Sequence, residues 1–184
     1  MIQMRVRSVN IVFEFAFFAL TAVVFSIGSN SAAALFGACF LHELGHVAVL
    51  AGFGGRIGGV HFGGGGIRLL PNRNSSISAW REITVLLAGP LCNLLAFAIF
   101  RNGCFAFFNL MLGIFNLMPF SCLDGGAVIL NFGDILGKTR LMTVMLKILS
   151  VIILAGTVAY TLCNSRANLF ETVIVYYCIA EIIT

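Results

Sequence analysis

Two histidines and a glutamate are the residues of this chain best suited to chemistry. They stand together as His42-Glu43-Leu44-Gly45-His46. On an α-helix, a separation of four residues puts both imidazoles on one face, a turn apart, where they can reach a single metal ion. Glu43 lies beside them, placed to take a proton from water. The pentad sits in an apolar run, residues 31–51, that holds no other charged side chain. A carboxylate between two imidazoles is costly in hydrocarbon, so its presence there points to function by default. The chemistry that suits this set is metal-assisted hydrolysis.

A catalytic zinc takes three protein ligands and keeps one position open. The pentad offers two, so a third must come from elsewhere, and His61 and Asp124 are the main candidates. Asp124 belongs to Asn116-Leu117-Met118-Pro119-Phe120-Ser121-Cys122-Leu123-Asp124-Gly125-Gly126. Its other reading is the N-cap of a short helix that starts near Gly126. Pro119 and the paired glycines favour the ligand, because they open the helix where a side chain must turn inward. His61 sits in a glycine loop, where a polar residue needs no further purpose. Another polar group stands in Ala88-Gly89-Pro90-Leu91-Cys92-Asn93. Pro90 cannot donate to the helix ladder, so it frees a carbonyl and predicts a kink. Asn93 reads either as an interhelical hydrogen bond, valued at about 1 kcal/mol in model spans, or as support for a substrate backbone or oxyanion.

The elements that must position these residues are membrane spans. Of 184 residues, 60% are hydrophobic and only 10% charged, where a soluble domain carries about 25%. Apolar runs at 9–28, 31–52, 83–101, 104–120, 142–163 and 168–184 predict an all-α polytopic membrane protein of about six spans in one domain. The last run is the weakest, being short and carrying Glu171 and Glu181. Between spans two and three lies the glycine-rich segment 52–66, which opens at Gly52 and closes at Gly66. Its pieces 56–62 and 67–70 alternate enough to predict a small β-hairpin associated with the membrane. The segment holds no G-x-G-x-x-G, and the heptad from Gly133 to Thr139 is one residue short of a P-loop, so neither predicts nucleotide binding.

Nine of the eleven Lys and Arg residues fall on one predicted side, with only Arg101 and Arg166 on the other. By the positive-inside rule both termini face the cytoplasm, and the pentad and Asp124 share the cytoplasmic half of the membrane. The net charge of +4 suits loops beside anionic lipid and calls for no nucleic acid. The N-terminus also resembles a signal peptide, but Glu14 interrupts its apolar stretch and further spans follow, which favours a retained helix. Six cysteines form no C-x-x-C pair and read as small buried hydrophobes rather than a disulfide framework.

Three ordered motifs carry a resemblance: His42-Glu43-Leu44-Gly45-His46, then Gly89-Pro90-x-x-Asn93, then Asn116-x-x-Pro119 with Leu123-Asp124-Gly125-Gly126. In this order and setting, residues 31–130 resemble the site-2 proteases, a family of intramembrane zinc metallopeptidases. The resemblance implies one zinc on His42, His46 and Asp124, with Glu43 as general base. It also implies that Asn93 and Asn116 help to position substrate or support the tetrahedral intermediate. Segment 52–66 would then belong to the family's hairpin, which pairs with an unwound substrate strand. The compact form is similar to the branch that processes a sporulation sigma-factor precursor, without the PDZ or CBS modules of other members. The implied partners are a membrane-tethered protein substrate, an inhibitory membrane partner and the lipid bilayer. Cys122 departs from the family, which often has Pro there. Two rival readings share the same residues. One is a metal transporter or sensor, which would not need Glu43 as a base, and the other is a catalytically silent membrane adaptor.

Overall fold

A computed structural model of the chain describes residues 2–6, 9–13, 29–55, 57–63, 66–71, 78–164 and 169–183. In chain order the elements are β1 (Ile2–Val6), β2 (Val9–Phe13), α1 (Ser29–Gly52), β3 (Ile57–Gly63), β4 (Gly66–Pro71), α2 (Ala79–Phe100), α3 (Gly103–Asn116), α4 (Asp124–Ile135), α5 (Thr139–Asn164) and α6 (Leu169–Ile183). They fall into two compact units, Met1–Phe115 and Asn116–Thr184.

The first unit carries a four-stranded sheet in the order β1-β2-β3-β4. The outer pairs are antiparallel and the central pair, β2 with β3, is parallel. A parallel pair needs a crossover rather than a tight turn, and α1 lies in that connection. Two expectations change here. The apolar run 9–28 does not begin as a span, because residues 9–13 form β2, while residues 14–28 lie outside the described ones. The description all-α with one hairpin is also too narrow, since β3 and β4 are half of a larger sheet. Val9-Asn10-Ile11-Val12-Phe13 is a short apolar run rich in β-branched residues. Periodicity alone cannot tell such a run from the start of a buried helix.

Helix α1 has 24 residues, about 36 Å at 1.5 Å per residue, against a hydrocarbon core of about 30 Å. It stops in a left-handed glycine cap. Gly54 has φ +71°, its N–H donates to Ala51 O at 2.9 Å, and the Gly55 N–H donates to Leu50 O at 2.9 Å. These bonds take up carbonyls that the helix end would otherwise strand, and Gly alone adopts that φ without cost.

Glycines also set how closely the helices approach. A Cβ on Gly45 would meet the backbone of Ala88 and the Cβ of Cys92, so α1 and α2 touch backbone to side-chain root at the pentad. A Cβ on Gly113 would meet Leu94 and the Pro90 carbonyl, and one on Gly37 would press on the Phe105 ring. Small residues at such contacts are how helices associate where lipid removes the hydrophobic drive between them.

Among the described residues, three helices are long and apolar enough to cross a membrane: Asn30–Gly52, Ala79–Phe100 and Thr139–Cys163. The chain therefore reads as a membrane protein. The expected span 104–120 is instead α3, whose 14 residues reach about 21 Å, too short to cross on their own. Several large apolar side chains of α5, among them Leu141, Met145, Ile148 and Ile152, are more than half exposed, while Leu146 is buried. Lipid is the solvent in which such a surface is stable.

In the second unit, the turn after α3 folds tightly enough that Gly125 and Gly126 lie on its backbone. A Cβ at Gly125 would strike the Leu117 carbonyl, and one at Gly126 the Phe120 carbonyl. Helix α4 ends as α1 does. Gly137 has φ +64°, its N–H donates to Asp134 O, and the Lys138 N–H donates to Gly133 O at 2.8 Å. The heptad that nearly matched a P-loop is thus a helix C-terminus. Helix α6, at 15 residues, spans about 22 Å and stays the weakest candidate. Its two carboxylates are buried and paired. Glu181 Oε2 accepts from the Ser121 N–H at 2.6 Å and the Ser121 hydroxyl at 2.7 Å, and Glu171 accepts from the Thr161 hydroxyl at 2.8 Å.

Candidate metal centre

His42 and His46 lie a turn apart in the C-terminal half of α1, and both are buried. Gly45, between them in the pentad, lets α2 come close enough for its groups to reach both rings. His42 Nδ1 stands 2.6 Å from Asn93 Oδ1, and His46 Nδ1 stands 2.7 Å from the backbone carbonyl of Val85. A carbonyl oxygen can only accept, so each Nδ1 carries a proton and turns its Nε2 toward the other ring. The two Nε2 atoms are 3.1 Å apart. Each ring thus brings a potential ligand atom to the same point.

The spacing fits a metal. Two nitrogens held about 2.0–2.1 Å from one zinc stand roughly 3.3 Å apart at the tetrahedral angle. Room is provided as well, because a Cβ on Gly89 would collide with Nε2 of both His46 and His42. Gly89 therefore keeps a side chain out of the space beside both Nε2 atoms. Pro90, next to it, removes one N–H from the ladder and crowds the preceding turn, which is the turn that lends the Val85 carbonyl to His46.

Asn93 is completely buried. Its Nδ2 donates to Ala38 O at 3.0 Å and to Asn109 Oδ1 at 2.8 Å, and its Oδ1 accepts from His42. Both amide hydrogens are thus spent inside the first unit. The expectation that Asn93 supports an oxyanion gives way to a different role, because no donor is left to offer. The residue orients His42, as the outer partners of metal-binding imidazoles do.

The other sequence candidates are placed as follows. Glu43 follows His42 on α1 and is half-buried. Asn116 ends α3 and is half-buried. His61 lies on β3, in register with Val12 and Arg68. Of the segment 52–66, residues 57–63 form β3 and Gly66 opens β4. Asp124 is the first residue of α4 and is half-buried. The N-cap is Leu123, so Asp124 does not cap the helix as its alternative reading required. Sequence reasoning missed Gly89 as the residue that clears the site, the Val85 carbonyl, and Asn109. Asn109 did leave a signal, a lone amide in an apolar run, the same that drew notice to Asn93.

No protein-family model matches the chain, and comparison with curated proteins gives no match. Solved structures do. The site-2 protease from Methanocaldococcus jannaschii superposes with a TM-score of 0.61 over 98% of this chain and 94% of its own, at 23% identity. The chain has the fold of a site-2 protease. The pentad, Gly89 and Asn93 form one continuous cluster within the first unit.

Proposed function

We propose that this chain is an intramembrane metalloprotease of the site-2 type. The observation that carries the reading is the pair of Nε2 atoms, 3.1 Å apart, oriented by donation from both Nδ1 atoms and facing the position that Gly89 keeps clear of a side chain, in a chain of that fold. His42 and His46, with Asp124 as third ligand, would hold one divalent ion, and two imidazoles with a carboxylate suit zinc. When bound, such an ion polarises a carbonyl and acidifies water.

The remaining work falls to side chains of the chain itself. Glu43, beside His42 on the same helix, takes the proton from the attacking water and returns it to the leaving amine nitrogen. With the hydrogens of Asn93 committed, support for the developing oxyanion falls to Asn116. A helical peptide bond is protected by its own hydrogen bonding, so the substrate must be extended. Pairing with the glycine-rich 52–70 hairpin, along its edge strand β4, would hold it so. The substrate class is a membrane-tethered protein, such as a regulator or sigma-factor precursor, cut on the cytoplasmic side of the membrane.

Co-expression with candidate membrane-tethered substrates tests this reading. Glu43→Gln should cut cleavage by about 10²–10⁴-fold while zinc still co-purifies with the protein. Cleavage that continues undiminished in Glu43→Gln would sink the mechanism. Metal movement across vesicles that survives the substitution would favour a transporter instead.

A further inference from the structure

We propose that Asn109, on α3, is a positioning residue for the metal site: it sets which end of the Asn93 amide faces His42, and thereby which nitrogen of His42 donates to that amide and which is turned to ligate a metal. This rests on the metalloprotease reading only for its use, since the geometry is a property of the first unit alone.

The amide hydrogens impose one orientation after another. Asn109 Nδ2 donates to the Phe105 carbonyl of its own helix at 2.8 Å, so Asn109 Oδ1 is turned toward Asn93. Asn93 must then present Nδ2 to Asn109, and its second hydrogen goes to Ala38 O. Its Oδ1 is left for His42 Nδ1 at 2.6 Å. Flipping the Asn93 amide would set its oxygen against two acceptors, Asn109 Oδ1 and Ala38 O, and would forfeit both bonds. A buried acceptor left without its donor bears the full cost of its lost hydration. A flipped amide would also offer an N–H to His42 Nδ1, moving the ring proton to Nε2 and removing the lone pair that binds metal. Asn93 and Asn109 are both fully buried, so no water can stand in for a missing partner. His46 has no such dependence, because its partner is a backbone carbonyl that cannot flip.

The test uses the full-length protein in detergent micelles with isotope-labelled histidine. Nitrogen NMR of the metal-free protein reports the tautomer of each ring, and competition with a chelator reports zinc affinity. In the wild type, His42 and His46 should both carry the proton on Nδ1. In Asn109→Leu, which is apolar and similar in size, His42 should show a mixture of tautomers. The His46 signal should stay unchanged and serve as the control for folding. Zinc affinity should fall by about 2–10-fold, because only the fraction of rings with the proton on Nδ1 binds, less than the loss expected on removing the outer partner itself. Asn109→Asp keeps an oxygen facing Asn93 Nδ2 and should restore the His42 tautomer and most of the affinity. An unaltered His42 tautomer and unaltered affinity in Asn109→Leu would overturn the proposal, as would failure of Asn109→Asp to restore a shifted tautomer. A wild type that shows the expected tautomers but takes up no zinc would instead count against the metalloprotease reading, leaving the relay standing.

Discussion

His42 and His46 belong to one helix and one face, yet the molecule holds them by different means. His46 donates to the main chain of α2, at the Val85 carbonyl. His42 donates to a side chain, Asn93, which is itself held by Ala38 on α1 and Asn109 on α3. A carbonyl of the helix ladder is present whatever the side chain there, and it has only one way to face. An amide has two, so its orientation must be imposed by neighbours. One ligand is thus secured by secondary structure and the other by a chain of side chains that sequence can alter.

The largest effect should come from a change that ignores this difference. Gly89→Ala puts a methyl group into the space before both Nε2 atoms. Zinc affinity measured by chelator competition should fall beyond the roughly 10–100-fold of an outer-partner loss. Helix propensity runs the other way, favouring Ala over Gly by about 1 kcal/mol, so the glycine at this position serves the site and not the helix. Retention of wild-type affinity in Gly89→Ala would remove the steric argument.

A smaller and one-sided effect is expected for Asn93→Leu, which deprives His42 alone of its partner. Affinity should drop about 10–100-fold, and crystallography or NMR should find the His42 ring displaced with His46 in place. Equal disturbance of both rings would erase the distinction between them.

The smallest effect should follow Val85→Ala. The carbonyl that receives the His46 proton survives this change, so zinc affinity should stay within about twofold, since only side-chain methyl groups are lost. A loss as large as that of Asn93→Leu would mean that side-chain packing, and not the carbonyl, places His46.

Much of this is legible in the order of residues alone. The i,i+4 spacing of His42 and His46 is a local property of the helix, and α1 realises it without help from distant residues. Gly54 and Gly137 mark helix ends because only glycine takes the left-handed cap without strain. Long apolar runs became α1, α2 and α5 because the length needed to cross a bilayer is written in composition. Short runs are harder to read: residues 9–13 form a strand, and the run 104–120 yields a 14-residue helix.

What the sequence by itself determined, then, is the chemistry on offer: two imidazoles on one face, a carboxylate beside them, and helices that belong in lipid. Only the tertiary structure decided which nitrogen of each ring donates to α2, that Gly89 faces both rings, and that Asn93, held by Asn109, meets His42. It also decided the parallel pairing of β2 with β3, which sets Val12 beside His61 although the whole of α1 lies between them in the chain. The physical reason is range. Helix period and glycine caps act within a turn, whereas hydrogen bonds across 16 to 55 residues depend on which backbones come close enough to touch.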